Sequence, residues 1–286
     1  MRTGVARSRL ERRAAHAPRW RCALSAGALV LVLASAFLHA GWNALVAGAK
    51  DTHATAAVAM LTGVAVFTIP AALTWRVEAE AWPYIGASAA LELTYFALLA
   101  TVYSRADYSF AYPVARGAAP VIVLIISIVA LGQDLSLLAV AGILAVTGGV
   151  LIVRGVGDNT PDVLSVGLAL CVGACIAGYT LVDDHGVDYA APIPYFVVVL
   201  GLSAVPYALV VGPRRLKAAT DRRSLPAGVG MAAAYILVLA ALERAPAAPV
   251  AALRESSVLL AGAGGGRRRL IGSALVALGI AAVVLG

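Results

Sequence analysis

Polar residues recur at helical spacing within the first apolar segment of the chain. His39, Trp42 and Asn43 stand at positions i, i+3 and i+4, which lie on one face of a helix. Because lipid offers no partner to an imidazole, an indole or an amide, a helix in lipid turns such a face inward. The pattern indicates either the wall of a cavity that contacts a substrate or polar contacts between helices.

A second polar face contains Glu92 and Tyr95 at i and i+3. An acidic side chain near the middle of a membrane helix costs about 2.5–3.5 kcal/mol on insertion scales. Glu92 could lower this cost in two ways. It could take up and release a proton, which would suit a coupling role, or it could pair with a neighbouring arginine.

Two arginines, Arg116 and Arg254, follow prolines in otherwise apolar segments. A guanidinium cannot shed its charge, so each must find carboxylates, carbonyls or water inside the protein. If the two converge, they favour an anionic or zwitterionic substrate. The alternative is a structural role in which Glu255, Glu92 or Asp107 neutralises them.

The remaining chemistry-bearing motifs are weak. Asp183-Asp184-His185 looks like a metal ligand set, but no second ligand cluster accompanies it, and we expect a solvated loop at a helix end. Gly264-Gly265-Gly266 lacks the following Lys-Ser/Thr of a phosphate-binding loop, which removes ATP as the direct driver. No tight acid–base or nucleophile cluster is visible. We therefore expect neither an enzyme nor a cofactor or metal.

The composition decides the class of protein that must position these residues. The chain is 61% hydrophobic and only 13% charged, whereas soluble domains are about half apolar and a quarter charged. Its apolar stretches are about 17–25 residues long, the length that crosses a bilayer as a helix. Segments such as Val121–Leu131 lack the alternation of barrel strands. The sequence therefore predicts an all-α integral membrane protein in a lipid bilayer.

Charged residues, prolines and glycines divide the chain into ten candidate transmembrane helices. They form three regions: a basic N-terminal tail at 1–22, a first five-helix repeat at 23–153 and a second at 163–286. The tail could belong to a signal peptide, but cleavage would cut the first helix, so we expect an uncleaved span. The predicted spans are about 23–49, 54–75, 82–103, 109–131, 135–153, 163–182, 192–212, 225–243, 247–263 and 268–286.

An internal repeat relates the two halves. The segment Tyr112–Arg116 has a counterpart in Pro249–Arg254, and each half closes on a pair of glycines seven residues apart, Gly142 with Gly149 and Gly272 with Gly279. Five helices repeated once cross the membrane in opposite senses, and such inverted repeats are typical of transporters. Chance similarity among Ala-, Val- and Leu-rich helices is the alternative.

The ninth span is shortened. Only Ser256–Ala263 separate Glu255 from the next glycine-rich turn, and eight helical residues rise about 12 Å, less than the thickness of the hydrocarbon.

Four segments in the right order resemble the EamA-like branch of the drug/metabolite transporter superfamily. They are His39–Leu45, Ala111–Pro120, Gly178–Asp183 and Ala251–Val258. The resemblance implies a helical bundle with a central cavity that moves small metabolites by alternating access. The polar faces and these segments together give ten candidate substrate-binding residues: His39, Trp42, Asn43, Glu92, Tyr95, Tyr112, Arg116, Tyr179, Arg254 and Glu255.

The expected function is secondary transport of a small polar metabolite (amino-acid-like, organic anion or drug) across the cell membrane. A degenerate or partner-requiring paralogue is an alternative because the ninth span is short, and an intramembrane lipid-modifying enzyme is a further one. The net charge of +7 lies in the tail and between apolar segments, which does not suit a nucleic-acid binder. The sequence leaves a homodimer open.

Overall fold

The computed structural model describes residues 24–47, 49–105, 108–154, 162–257 and 266–286. The basic tail predicted at 1–22 lies outside these residues, and so does most of the segment that links the two predicted repeats. The side chain of Tyr112, one of the ten candidate site residues, also lies outside the described part.

Ten helices within these residues overlap the ten segments predicted as spans. The largest difference is in α9, which ends at Arg254 although the prediction extends to 263; residues 258–265 are not among those described. The helices are α1 Ala26–Ala47, α2 Thr52–Leu73, α3 Trp82–Arg105, α4 Tyr108–Val129, α5 Leu137–Arg154, α6 Val163–Gly186, α7 Pro192–Val211, α8 Ser224–Leu242, α9 Ala247–Arg254 and α10 Arg267–Leu285. A short connecting helix, Pro213–Ala219, lies between α7 and α8.

Side chains and turn residues fix several of these boundaries. Asp51 caps α2 by accepting a hydrogen bond from the amide of Ala54, and Asp162 caps α6 in the same way through Ser165. Gly132 follows α4 with φ of 62°, and Gly212 follows α7 with φ of 84°. Both angles lie in the left-handed region that favours glycine, so the chain turns at these two positions.

Among the residues that the structure describes, six helices are long and apolar enough to cross a membrane: α1, α2, α6, α7, α8 and α10. Two shorter apolar segments lie in α4 and α5. In the described ranges there is no β-strand, and the only extended pairing is an isolated bridge between Val77 and Ala190. Large apolar side chains such as Leu137 (89% exposed) and Val210 (85% exposed) point outward. An exterior of this kind suits lipid, so the prediction of a helical membrane protein is confirmed at this level.

The helices pack in a regular set of pairs. Helix α1 packs on α8, α3 on α6, α2 on both α7 and α8, and α4 on α5 and α6. Every residue of α9 is buried, and this helix contacts α1, α4, α5 and α8. The short ninth helix is therefore the centre of the bundle rather than part of its lipid-facing surface.

The glycine pairs at the ends of the two halves form one interface between α5 and α10. A Cβ atom built on Gly142 would lie 2.7 Å from the carbonyl oxygen of Gly279, and one built on Gly149 would lie 2.7 Å from that of Gly272. Because the residue numbers rise on one helix as they fall on the other, the two helices run antiparallel. Without a Cβ the backbones touch, as in other membrane helix pairs that meet through small residues.

We expect Gly149→Ala to lower the thermal stability of the purified protein, because the new methyl group would meet Val276 Cγ2 at 2.6 Å and force the helices apart. Overpacking of this kind typically costs about 1–3 kcal/mol. The matched control is Gly148→Ala, since a Cβ there meets only Leu275 Cδ2 at 3.6 Å. Thermal unfolding of both variants in detergent should separate them; equal melting temperatures would contradict the close α5–α10 contact.

A surface ion pair ties the connecting helix to the start of α2. The Arg215 guanidinium donates to both carboxylate oxygens of Asp51, at 2.9 and 3.0 Å. These bonds, and then the amide of Ala54, lower the pKa of Asp51 from its ordinary 3.8 to about 2. The contact places the α1–α2 turn and the α7–α8 connection at the same end of the bundle.

Asp51→Asn keeps a side-chain oxygen that can cap α2 but removes the charge that pairs with Arg215, so it should lower the melting temperature at neutral pH by an amount that corresponds to about 0.2–1 kcal/mol, as for exposed ion pairs. The depressed pKa means that the contribution of Asp51 is complete above pH 3.8 and is lost as the pH falls through about 2. Melting curves of wild type and variant should therefore converge between pH 4 and pH 2. A constant difference across that range would show that the charge of Asp51 is not the source of the effect.

Candidate functional site

A cavity of about 110 Å³ lies between helices of both halves. Seven of the ten sequence-predicted site residues line it: His39, Trp42, Glu92, Tyr95, Arg116, Tyr179 and Arg254. The other lining residues are Ser35, Phe96, Phe196, Leu200, Met231, Ala234, Tyr235 and Val238. The polar faces of α1 and α3 thus meet the two arginines in one space.

Arg116 is neutralised by Glu255, which lies just beyond the end of α9. The guanidinium reaches both carboxylate oxygens, with Nε to Oε2 at 3.1 Å and Nη2 to Oε1 at 2.8 Å. The side chains are 8% and 1% exposed, respectively. One hydrogen bond and one close charge contact therefore join α4 of the first half to the α9 segment of the second. Glu255 therefore has a structural partner and does not itself line the cavity.

Two other charged side chains of the cavity keep atoms without partners. The Nε atom of Arg254 and the Oε2 atom of Glu92 are buried and make no hydrogen bond to any residue that the structure describes. The residues themselves are 5% and 7% exposed. The indole N–H of Trp42 is in the same condition. A buried polar group without a partner is costly, so these atoms are available to a ligand.

Aromatic rings form most of the apolar wall. The ring of Tyr95 lies edge-on to those of Phe96 and Tyr179, with centroids 5.0 and 6.4 Å apart. Tyr179 in turn contacts Tyr235 at 6.3 Å. On α1 the ring of His39 lies edge-on to Trp42 at 5.2 Å. Such a wall accepts an apolar or aromatic group and provides hydroxyl groups at its edge.

Asn43 does not join the site. Its side-chain amide donates to the carbonyl oxygen of His39 at 2.7 Å, one turn back on α1, and it is not among the lining residues of the cavity. A helical face about 100° wide includes residues at its edge as well as its centre, which is why spacing alone grouped Asn43 with His39.

The expectation of a solvated loop at Asp183-Asp184-His185 is wrong. Helix α6 continues through Gly186, and Asp183 is only 1% exposed. Its Oδ1 accepts a hydrogen bond from the Tyr195 hydroxyl at 2.9 Å, and its Oδ2 accepts one from the Tyr235 hydroxyl. Tyr195 fits because position 186 is glycine: a Cβ there would lie 2.5 Å from the phenol oxygen.

Asp183 was not among the candidate site residues, but its spacing in the sequence could have identified it. Asp183 follows Tyr179, itself a candidate site residue, by four positions, so the two share a helical face that points inward. The partners of Asp183 carry no such signal, because Tyr195 and Tyr235 come from α7 and α8. Of metal sites, no group of three or more His, Cys, Asp or Glu occurs in the described part of the chain.

Comparison with known proteins gives a fold but no family. No family model matches the sequence, and no curated protein matches it. A crystal structure of another protein aligns with a TM-score of 0.71 at 17% sequence identity, covering 90% of this chain and 96% of that one. The chain therefore shares the whole fold of a solved protein, and the resemblance to EamA-like transporters stays a prediction.

Breaking the buried pair from one side should destabilise the protein strongly. Glu255→Gln leaves the Arg116 charge without its carboxylate, a change that costs about 3–5 kcal/mol for buried pairs. The control is Glu243→Gln, whose carboxylate is 3.5 Å from the partly exposed Arg76, where about 0–1 kcal/mol is expected. The free energy of unfolding in detergent, measured for both variants and wild type, gives the two losses.

The double variant Arg116→Met with Glu255→Met tests the cause of that loss. It removes both charges together and should recover much of the stability lost in Glu255→Gln. A double variant as unstable as the single one would show that packing, and not an uncompensated charge, is responsible.

Proposed function

We propose that this chain is a secondary transporter that moves a small zwitterionic or anionic metabolite across the cytoplasmic membrane by alternating access. The observation that carries the proposal is the pair of buried, unpartnered atoms of opposite character, Arg254 Nε and Glu92 Oε2, in one central cavity. A protein that needed these groups only for its own stability would have paired them, as it paired Arg116 with Glu255.

The helix packing supports an inverted repeat. In a repeat of five helices, each helix has a counterpart five places along the chain. Replacing both helices of the α1–α8 contact by their counterparts gives α6–α3, and the same replacement turns α2–α8 into α7–α3. All four contacts occur. The α2–α7 and α5–α10 contacts map onto themselves. The antiparallel course of α5 and α10 suits two five-helix units of opposite orientation, whose meeting place is where such transporters bind substrate.

The charges of the cavity favour a particular class of substrate. Arg254 offers a free N–H to a carboxylate, and Glu92 offers an acceptor to an ammonium group. The aromatic wall of Tyr95, Phe96 and Tyr179 leaves an apolar surface for the remainder of the molecule. An amino-acid-like zwitterion fits these three features together, whereas an organic anion would use only two of them.

Ligand-dependent thermal shift of the detergent-purified full chain tests the site. We expect one or more single amino acids to raise the melting temperature, because a ligand at a hundredfold excess over its dissociation constant stabilises by about 2.7 kcal/mol. Acetate, succinate and choline, which lack one of the two charges, should stabilise less. Counterflow of the same amino acid in proteoliposomes then tests transport.

The matched variants are Arg254→Gln and Arg244→Gln. The first removes the buried guanidinium and should weaken binding about 10- to 100-fold, the effect of losing a charge-assisted hydrogen bond of about 1.5–3 kcal/mol. The second removes an arginine that is 49% exposed and lies away from the cavity, and it should bind like wild type. Binding of choline as tight as that of amino acids, or no counterflow with any compound of the panel, would contradict the proposal.

A degenerate or partner-requiring paralogue is the second candidate, because α9 ends after eight residues. Insertion of eight apolar residues after Ala263 should then raise activity or expression; no change in either would contradict this alternative. An intramembrane enzyme is less well supported. Ser35 and His39 are one turn apart in the cavity, but the Ser35 hydroxyl donates to the carbonyl oxygen of Ala234 at 2.7 Å and not to the imidazole.

A further inference from the structure

The cavity wall contains the buried carboxyl group of Glu92 and the ring of Tyr235, whose hydroxyl is bonded to a second buried carboxyl group, Asp183. Glu92 on α3 and Asp183 on α6 are 7% and 1% exposed, and the two helices pack against each other. Among the residues described, no lysine, arginine or histidine forms a salt bridge with either. Two carboxylates that are buried on packed helices without a paired cation cannot both ionise at an acceptable cost, so one of them must keep a proton.

The hydrogen bonds determine which one keeps it. Asp183 accepts from two phenol hydroxyls, Tyr195 and Tyr235, which stabilise its ionised form. Glu92 has an oxygen without any donor among the described residues, which is the environment of a protonated carboxyl group. The resting arrangement is therefore a protonated Glu92 beside an ionised Asp183.

Tyr235 connects the two groups. Its hydroxyl donates to Asp183, and its ring lines the cavity together with Glu92. When the Glu92 proton passes to the Tyr235 oxygen, the Tyr235 proton can pass to Asp183. One O–H bond breaks and one forms at each step, the phenol is regenerated, and the net result is the movement of one proton from the cavity wall to a site behind it.

We propose that Glu92, Tyr235 and Asp183 form a proton-transfer unit that couples substrate movement to a proton. The coupling rests on the proposed function, since the ammonium group of the substrate and the Glu92 proton would compete for one carboxylate. The proton pair itself does not rest on it. When the ammonium group of the substrate binds the Glu92 carboxylate, the proton released from Glu92 moves to Asp183.

Other titratable groups surround the unit and must be considered. His39, Arg116, Tyr179 and Arg254 line the same cavity from α1, α4, α6 and α9, and Tyr195 faces Asp183 from α7. Asp184 and His185 follow Asp183 on α6 itself; His185 is partly buried, with its Nδ1 2.9 Å from the carbonyl oxygen of Leu181. The two arginines oppose the charge of a second carboxylate, but neither is bonded to Glu92 or Asp183 among the contacts described.

Infrared spectroscopy of the full chain tests the proton pair without a substrate. The C=O stretch of a protonated carboxyl group is separate from the bands of carboxylates, so a pH titration in detergent shows whether one buried carboxyl remains protonated at neutral pH. We expect one such band in wild type and none in Glu92→Gln. In Asp183→Asn, where the repulsion between the two carboxylates is absent, the band should disappear at a pH at least one unit lower than in wild type. The control is Asp134→Asn, which changes an exposed carboxylate and should leave the band unchanged.

The wild-type spectrum alone can overturn the proposal, even if the variants fold poorly. No protonated carboxyl band at neutral pH, or a band that survives Glu92→Gln, contradicts the pair. The coupling is tested by counterflow: a pH gradient across the membrane, in one direction or the other, should accelerate counterflow in wild type but not in Asp183→Asn. The dissociation constant of the substrate, measured by thermal shift, should differ by less than threefold between this variant and wild type. Counterflow in wild type that ignores the pH gradient overturns the coupling. Absence of any transported compound overturns the proposed function and leaves the infrared result standing.

Discussion

The contact between Arg116 and Glu255 joins the two halves of the chain inside the bundle, where lipid offers no partner to either charge. Arg116 belongs to α4 and Glu255 follows α9, and the pair is almost fully buried. A guanidinium keeps its charge in an apolar bundle, and its pairing with Glu255 holds the short α9 segment against α4. Once α9 lies in the centre, the surrounding helices pack against it and enclose the cavity.

The same scarcity of polar partners explains the distribution of the other charges. The outside of the bundle carries residues such as Leu137 and Val210, which lipid solvates and water does not. Charged groups therefore collect at the helix ends, as Asp51 and Arg215 do, or inside. Both buried arginines line the cavity, but Arg116 is paired with Glu255, whereas the Nε atom of Arg254 has no partner among the described residues.

Much of the site was accessible from spacing and residue type. The faces of α1 and α3 and the two arginines were predicted from helical periodicity, and all of them line the cavity except Asn43, whose amide bonds its own helix. Asp183 was misjudged because a pair of carboxylates near a helix end usually faces water. Here α6 extends to Gly186, and the hydroxyls of Tyr195 and Tyr235 take the place of water.

The sequence by itself determined the class of protein, the positions of the helices and the faces that turn inward, because these depend on local composition and on the period of the helix. It also pointed to the glycines of α5 and α10, but not to the fact that they face one another. Only the tertiary structure decided which polar groups are paired and which are free. Glu255 could have neutralised either arginine by sequence, and the fold gave it to Arg116 because α9 approaches α4. Partnership depends on distances between helices far apart in the chain, and no local pattern of residues contains those distances.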